Sequence, residues 1–172
     1  CNMLVPARGK TDRFSGVKRL KPIFSSIECI KSFKLASITS GSIEIPEKVT
    51  CIPEGCFDEC SRLEEVKLPK SINIIDEHAF QACKSLKKIN LEELSNLTVI
   101  GMSAFYGCAL TEAIVPDGTK KIYPYAFDRC TKLETVKIPG TAKYIYAGLF
   151  YSCSSLRDVE LGEGLVGIKK WS

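Results

Sequence analysis

Residues 68–89, LPKSINIIDEHAFQACKSLKKI, contain a short element formed by Ala79, Phe80 and Cys83. His78, the single histidine of the chain, stands directly before this element, so the stretch resembles a small redox or metal site as much as a packing unit. A chemical site needs one copy of its residues, whereas a stack of layers needs one copy in every layer. The number of copies in the chain therefore decides between the two interpretations.

The phenylalanine and the cysteine three residues after it occur five times. Successive phenylalanines are 23, 25, 22 and 23 residues apart, and the pairs are Phe57 and Cys60, Phe80 and Cys83, Phe105 and Cys108, Phe127 and Cys130, and Phe150 and Cys153. A constant period between about 20 and 50 residues is typical of repeat arrays. We therefore predict that these ten residues form a structural ladder and not a catalytic site.

An alternating stretch in each repeat predicts a β-strand. In Glu65-Val66-Lys67-Leu68 the charged and apolar residues alternate, as they do in a strand with one buried side. Pro69 follows because proline cannot donate to a strand ladder. The phenylalanine element lacks this alternation and predicts a short turn or a one-turn helix. Since one coil cannot bury its apolar side alone, the repeats must stack.

This pattern predicts an α/β repeat solenoid in which short parallel strands alternate with short turns or one-turn helices. We assign residues 43–172 to the solenoid, with five full coils from Ile45 to Glu160 and a partial sixth from Leu161 onward. The third coil has two extra residues between Leu91 and Ile100. Because insertions in solenoids form loops, we expect them to bulge on the side opposite the closing strand.

Residues 1–42 do not follow the repeat and are predicted to be a basic tail with a capping helix. Residues 1–34 contain eight Lys or Arg but only two acidic residues. Apolar residues three apart, from Phe24 to Phe33, favour an amphipathic cap over 20–36, although a degenerate repeat using Phe24 and Cys29 stays open. No aromatic platform accompanies the basic residues, so we expect no nucleic-acid partner.

The spacing Leu-Pro-x-x-Ile-x-x-Ile-x-x-x-Ala-Phe-x-x-Cys-x-x-Leu-x-x-Ile, read from Leu68 to Ile89, resembles the BspA-like class of leucine-rich repeats. Proteins with this repeat occur in bacteria and parasitic protists; many are surface or secreted proteins, and some are implicated in adhesion to host matrix proteins or to other cells. The resemblance implies a non-catalytic protein-binding module at the cell surface or outside the cell. The alternatives are a structural spacer of a longer surface protein and the recognition arm of an enzyme whose catalytic domain lies outside this chain.

The nine cysteines allow several interpretations. We expect the ladder cysteines to be buried and reduced, since their side chains run parallel along the stack, although a disulfide framework is the alternative. Such thiols keep a cytosolic location open. Cys51, Cys56 and Cys60 lie close enough in sequence to suggest zinc, but no histidine or further pair completes four ligands. Cys1 is a candidate lipidation site. We expect His78 in a solvated loop, and no metal or other cofactor.

Two groups of residues are candidates for contact with a partner protein. The outward positions of the predicted closing strands form columns of mixed charge, in which Ile114 is apolar where its column is polar. Tyr123 and Tyr146 share a repeat position and are expected to stack in the turns. A solvated charged surface and a local packing cluster are the respective alternatives. The closing-strand candidates are Glu65, Lys67, Lys88, Glu112, Ile114, Thr135 and Lys137. No apolar stretch approaches the roughly 18 residues of a transmembrane helix.

Overall fold

A computed structural model describes residues 41–170, which form a stack of coils with a short strand on each of two sides. We call the first side the closing-strand face; it consists of β1 (Ser42–Glu44), β3 (Glu65–Lys67), β5 (Lys88–Ile89), β7 (Glu112–Ile114), β9 (Thr135–Ile138) and β11 (Asp158–Leu161). We call the second side the tyrosine face; it consists of β2 (Cys51–Ile52), β4 (Ile74–Ile75), β6 (Val99–Ile100), β8 (Lys121–Ile122), β10 (Tyr144–Tyr146) and β12 (Gly167–Lys169).

Every strand pair is parallel and joins equivalent positions of neighbouring coils. Val66 of β3, for example, is in register with Ile43 of β1 and Ile89 of β5. The inward residue of each strand pair is apolar, so the core runs the length of the stack between the two faces. The predicted solenoid of short parallel strands is therefore confirmed. It contains almost no helix, and the phenylalanine elements are turns.

The third coil divides the closing-strand face into two three-stranded sheets, β1-β3-β5 and β7-β9-β11. The expectation that its extra residues bulge on the side opposite the closing strand is wrong. Leu91–Glu93 forms a 3₁₀ helix that begins two residues after β5 and packs beside β7. A 3₁₀ helix rises about 2.0 Å per residue against about 3.3 Å in a strand, so it takes up extra residues within the corner. Leu91 and Leu94 reach the core from this helix.

A column of phenylalanine rings lies at the centre of the core. Phe57, Phe80, Phe105 and Phe127 are fully buried, and their neighbouring ring centroids are 5.0, 5.4 and 5.4 Å apart. The ring of Phe150 continues the column 6.0 Å from Phe127 but is half-buried. The rings of Phe80, Phe105 and Phe127 therefore each pack against the rings of both neighbouring coils, which ties the coils into one core.

The ladder cysteines bridge neighbouring coils through weak hydrogen bonds. The Sγ of Cys83 donates to the carbonyl of Phe57 at 3.0 Å, and the same bond recurs from Cys108 to Phe80 at 3.1 Å. Cys130 and Cys153 continue the series onto Phe105 and Phe127. Cysteine fits this position because it is small and apolar and still carries an S–H donor.

The turns that carry the phenylalanines contain two left-handed positions in each coil. The first column comprises Gly55, His78, Ser103, Tyr125 and Gly148, and the second comprises Glu59, Ala82, Gly107, Arg129 and Ser152, all with positive φ. This conformation directs backbone N–H groups along the stack. His78 N, for instance, donates to the Met102 carbonyl of the next coil at 2.9 Å. Neighbouring coils are thus hydrogen-bonded at the turns as well as at the strands.

The last coil exposes apolar side chains whose counterparts are buried elsewhere. Val159 is 46% exposed and Leu161 51%, whereas Val136 and Ile138, with which they are in register, are both 0% exposed. Their upper surface has no described coil to pack against. The same lack of cover explains why Cys153 is half-buried, where burial was expected.

The predicted basic tail, the capping helix over 20–36, Cys1, Cys29 and Trp171 lie outside the described residues, and the division at residues 42 and 43 stays a prediction. Within residues 41–170, no helix has the length and apolar character needed to cross a membrane.

Candidate binding surface

The closing-strand face brings its predicted candidates into columns. Glu65 is in register with Lys88, and Glu112 is in register with Thr135. Lys67 lies two residues along β3 from Glu65, on the same outward side. The columns do not run unbroken, because β5 and β7 belong to different sheets. The structure therefore presents two charged blocks instead of one continuous surface.

Most charges on this face are neutralised by the neighbouring coil. Lys137 Nζ lies 2.7 Å from Glu160 Oε1, and this hydrogen bond raises the pKa of Lys137. Three further ion pairs at 3.6–3.7 Å are Lys67–Glu44, Lys87–Glu64 and Arg157–Glu134. Exposed pairs of this kind contribute about 0.2–1 kcal/mol each. Their main effect is to leave this face without a strong field of one sign.

Ile114 lies at the boundary between the two blocks. It is half-buried, stands outside the apolar core cluster, and is in register with Lys137 of β9. The residue at its repeat position one coil earlier is Asn90, whose side chain turns back onto the backbone of Leu68. Ile114 therefore offers an apolar contact beside the 3₁₀ helix, surrounded by polar residues.

Tyr123 and Tyr146 lie on the tyrosine face, on the other strand side of the coil. Their rings stack with centroids 6.4 Å apart and planes 9° from parallel. Tyr146 belongs to β10 and Tyr123 directly follows β8, so they are strand-side residues and not turn residues as expected. Strand alternation explains their position, because the core residues Ile122 and Ile145 precede them. The structure thus separates Tyr123 and Tyr146 from the closing-strand candidates, and the two groups cannot form one site.

The tyrosine face also contains residues that were not singled out from the sequence. Tyr144 lies on the same outward side as Tyr146, and the Nζ of Lys169 sits 3.7 Å from the centroid of the Tyr144 ring. Exposed Lys143 directly precedes Tyr144 in the chain, and exposed Lys121 belongs to β8, the strand of the preceding coil that contacts β10. The available signal was the alternation in Tyr144-Ile145-Tyr146, which marks both tyrosines as outward-facing.

The remaining sequence candidates are explained by local structure. Cys51 is disulfide-bonded, so its sulfur is not available as a thiolate ligand, while Cys56 and Cys60 keep reduced thiols. His78 is half-buried rather than solvated, and its Nδ1 lies 2.7 Å from Gln81 Oε1. Its position accepts varied side chains but requires a left-handed backbone. Among residues 41–170, no three His, Cys, Asp or Glu side chains are grouped as a metal ion would require.

Comparison with known proteins gives a consistent family match. A family model described as a BspA type leucine rich repeat region matches residues 10–95 and 85–172 with six copies. The first match begins within the segment predicted to be tail and cap. A search of curated protein sequences finds no significant match to this chain.

Solved structures with the same architecture come from bacteria. A leucine rich cell surface protein from Faecalibacterium prausnitzii is 32% identical with a TM-score of 0.67, over 71% of this chain and 32% of that protein. A leucine-rich repeat protein from Bacteroides ovatus is 29% identical with a TM-score of 0.54, over 74% and 39%. The T. pallidum leucine rich repeat protein is 26% identical with a TM-score of 0.56, over 74% and 72%. The chain thus spans about a third of the Faecalibacterium protein's length.

Proposed function

The chain belongs to the BspA-type leucine-rich repeat family, and from that premise we propose that it is a non-catalytic recognition module of a surface or secreted protein. At the coarser level, it is a repeat-based protein-interaction module. The similarity to the Faecalibacterium protein, which is described as a cell surface protein, supports the proposed location. The rigid stack supports the proposed role, because it holds side chains at fixed spacing for a partner.

The observation that carries this proposal is the half-buried Ile114 on the closing-strand face. Interaction hot spots are side chains that lose water at the contact and are surrounded by residues that exclude water, and Ile114 among its polar neighbours can be buried in this way. Lys137 lies beside Ile114 in register, and Glu112 lies two residues away on the same outward side of β7. Strands hold these side chains firmly, since each strand is hydrogen-bonded into the stack. We propose that a protein partner, such as a host matrix or cell-surface protein, contacts this face through Ile114.

The experiment is a capture of partners with the full chain, from host matrix and from the cytosol of the source cell. Each captured protein is then tested against Ile114→Glu and Tyr146→Ala, after both variants have been shown to keep the parent melting transition. Ile114→Glu should weaken the partner's Kd by about tenfold or more, because a charge must then be desolvated at the contact.

The matched control is Thr131→Glu, which introduces the same charge at an exposed turn position outside the proposed contact. A loss with Ile114→Glu that exceeds the loss with Thr131→Glu supports a specific contact at Ile114. A loss only with Tyr146→Ala moves the protein contact to the tyrosine face. If the stack captures no protein from either source, the recognition role is wrong and the spacer role replaces it.

A further inference from the structure

The tyrosine face carries lysines without acidic partners. Lys121, Lys143 and Lys169 are exposed on the coils that contain β8, β10 and β12. Segments 118–127, 140–157 and 164–170 contain no Asp or Glu. Among residues 41–170, all four ion pairs lie on the closing-strand face, and none involves these three lysines. The positive charge of this side is therefore uncompensated, unlike the paired charges of the other face.

Tyrosine side chains lie between these lysines. The register pairs Tyr144 with Gly167 and Tyr146 with Lys169, so outward residues of β10 and β12 form two adjacent columns. Lys169 ends the column of Tyr146 and places its Nζ over the neighbouring Tyr144 ring. Gly167 has no side chain, and the space above it is open. Basic and aromatic groups are thus interleaved on the hydrogen-bonded pair β10–β12 and on β8, the last strand of the four-stranded sheet that lies against β10.

The orientation of the rings restricts the type of ligand. The Tyr123 and Tyr146 rings each turn one face toward the other along the stack, and one face of Tyr144 is covered by the Lys169 ammonium group. Ring edges and hydroxyl groups are left for an incoming molecule. Ring edges are the positive part of an aromatic quadrupole and hydroxyls donate hydrogen bonds, so both suit anionic oxygen atoms. Single-stranded nucleic acids bind mainly by stacking their bases on ring faces, and one face of each of these three rings is already in contact with another side chain.

We propose that the tyrosine face, through Lys121, Tyr123, Lys143, Tyr144, Tyr146 and Lys169, binds an acidic polysaccharide. The lysine ammonium groups pair with the carboxylate or sulfate groups of the polymer, and the tyrosine hydroxyls hydrogen-bond to its ring substituents. Each of three successive coils contributes one of these lysines, at a different position across the face, so an extended polyanion that crosses the coils can contact all three. This site is separate from the closing-strand face and does not depend on the protein contact proposed there.

Titration of the full chain with a heparin oligosaccharide, and in a second arm with hyaluronan, tests the proposal. The test variant is Lys121→Gln/Lys143→Gln/Lys169→Gln, and the matched control is Lys67→Gln/Lys87→Gln/Lys88→Gln, which removes the same charge from the closing-strand face. The first variant should weaken the heparin Kd by about tenfold or more, and the control by less than about threefold. Binding of hyaluronan as well as heparin would mean that carboxylates suffice, while heparin alone would assign the site to sulfate groups.

Equal weakening by both variants would show that only net charge matters and would overturn the site. Absence of binding to either polysaccharide would overturn it as well. If the triple variant does not fold, lysine acetylation of the unmodified protein decides: heparin should protect Lys121, Lys143 and Lys169 but leave Lys67 and Lys88 reactive. Tighter binding of oligo(dT) than of either polysaccharide would replace the proposed ligand by a single-stranded nucleic acid.

Discussion

The side-chain amide of Asn90 holds both backbone polar groups of Leu68 one coil earlier. Its Oδ1 accepts the Leu68 N–H at 2.8 Å, and its Nδ2 donates to the Leu68 carbonyl at 3.0 Å. At the equivalent place, Ile45 N donates to the backbone carbonyl of Lys67. The side chain of Asn90 accepts the Leu68 N–H in place of a backbone carbonyl, because the chain enters the 3₁₀ helix at Leu91 and no longer runs as a strand.

Replacement of Asn90 by alanine should therefore destabilise the stack. Leu68 is 2% exposed, so its N–H and carbonyl would lose partners where water cannot readily replace them. We expect Asn90→Ala to lower the free energy of unfolding by about 2–4 kcal/mol, measured by chemical denaturation. Glu93→Ala is the control, because it removes only the exposed bond from Asn90 Nδ2 to Glu93 Oε2. An equally small effect of both substitutions would contradict the structural role of the amide.

The ladder thiols should be unreactive in the native protein. Burial raises the pKa of Cys130 to about 12 and that of Cys153 to about 11, so almost no thiolate is present near pH 8. Alkylation should be slow in the native protein and fast after denaturation, and half-buried Cys153 should react before Cys130. Mass spectrometry of the alkylated peptides measures this order. Disulfides between neighbouring ladder positions, or labelling of Cys130 first, would refute it.

Truncation of a central phenylalanine should have a much larger effect than a change in the turn. Phe105 is 0% exposed and stacks on Phe80 and Phe127, so Phe105→Ala should cost about 3–5 kcal/mol. His78→Ala should cost only about 1 kcal/mol or less, because alanine retains the backbone donor to Met102 and loses only the part-buried bond between Nδ1 and Gln81 Oε1. Denaturant unfolding of both variants gives the comparison. Similar losses would show that the ring column does not carry the stability.

Asp128 should destabilise the protein at neutral pH. It is 6% exposed, its Oδ1 has no hydrogen-bond partner, and desolvation raises its pKa despite the opposing charge of Arg129. Because the pKa of Asp128 is higher in the folded protein than in the unfolded chain, the protein is most stable at a pH below the unfolded-state pKa, where the carboxyl group is protonated. This stability is lost as the pH rises through the folded-state pKa. Asp128→Asn should therefore add about 1 kcal/mol at pH 7.

The advantage of Asp128→Asn should disappear near pH 3, where the aspartate is protonated in both states. Denaturation at the two pH values measures this change. Asp158→Asn is the control, because it makes the same substitution at an exposed aspartate. A lower stability of Asp128→Asn at pH 7 would mean that the carboxylate makes a favourable interaction with Arg129 that outweighs its desolvation.

The repeat period alone was sufficient to predict the stack and most of its register. The constant spacing of phenylalanine and cysteine predicts a stack with one copy of the pair in each layer. The alternation of charged and apolar residues predicts that Val66 faces inward and that Glu65 and Lys67 face outward. Both statements depend only on the identity of residues at equivalent positions. The pairing of Glu65 with Lys88 follows from them without any knowledge of the coordinates.

The repeat pattern could not predict how each coil is joined to the next. The bonds from Cys83 to Phe57 and from Asn90 to Leu68 join residues 26 and 22 positions apart, and their geometry depends on where two separate backbones come to rest. The same applies to the 3₁₀ helix at Leu91, since two extra residues can be absorbed at several corners of the coil.

The location of the candidate sites was decided only by the tertiary structure. Tyr146 and Ile114 each occupy an outward repeat position, but only the closed coil shows that they face different sides. Tyr144 and Lys169 come from successive coils and become neighbours only when those coils stack, and Lys121 is brought to the same side by the contact between β8 and β10. A surface of this kind is assembled across the repeats, so its charge and shape depend on the stacking of coils and not on any single stretch of sequence.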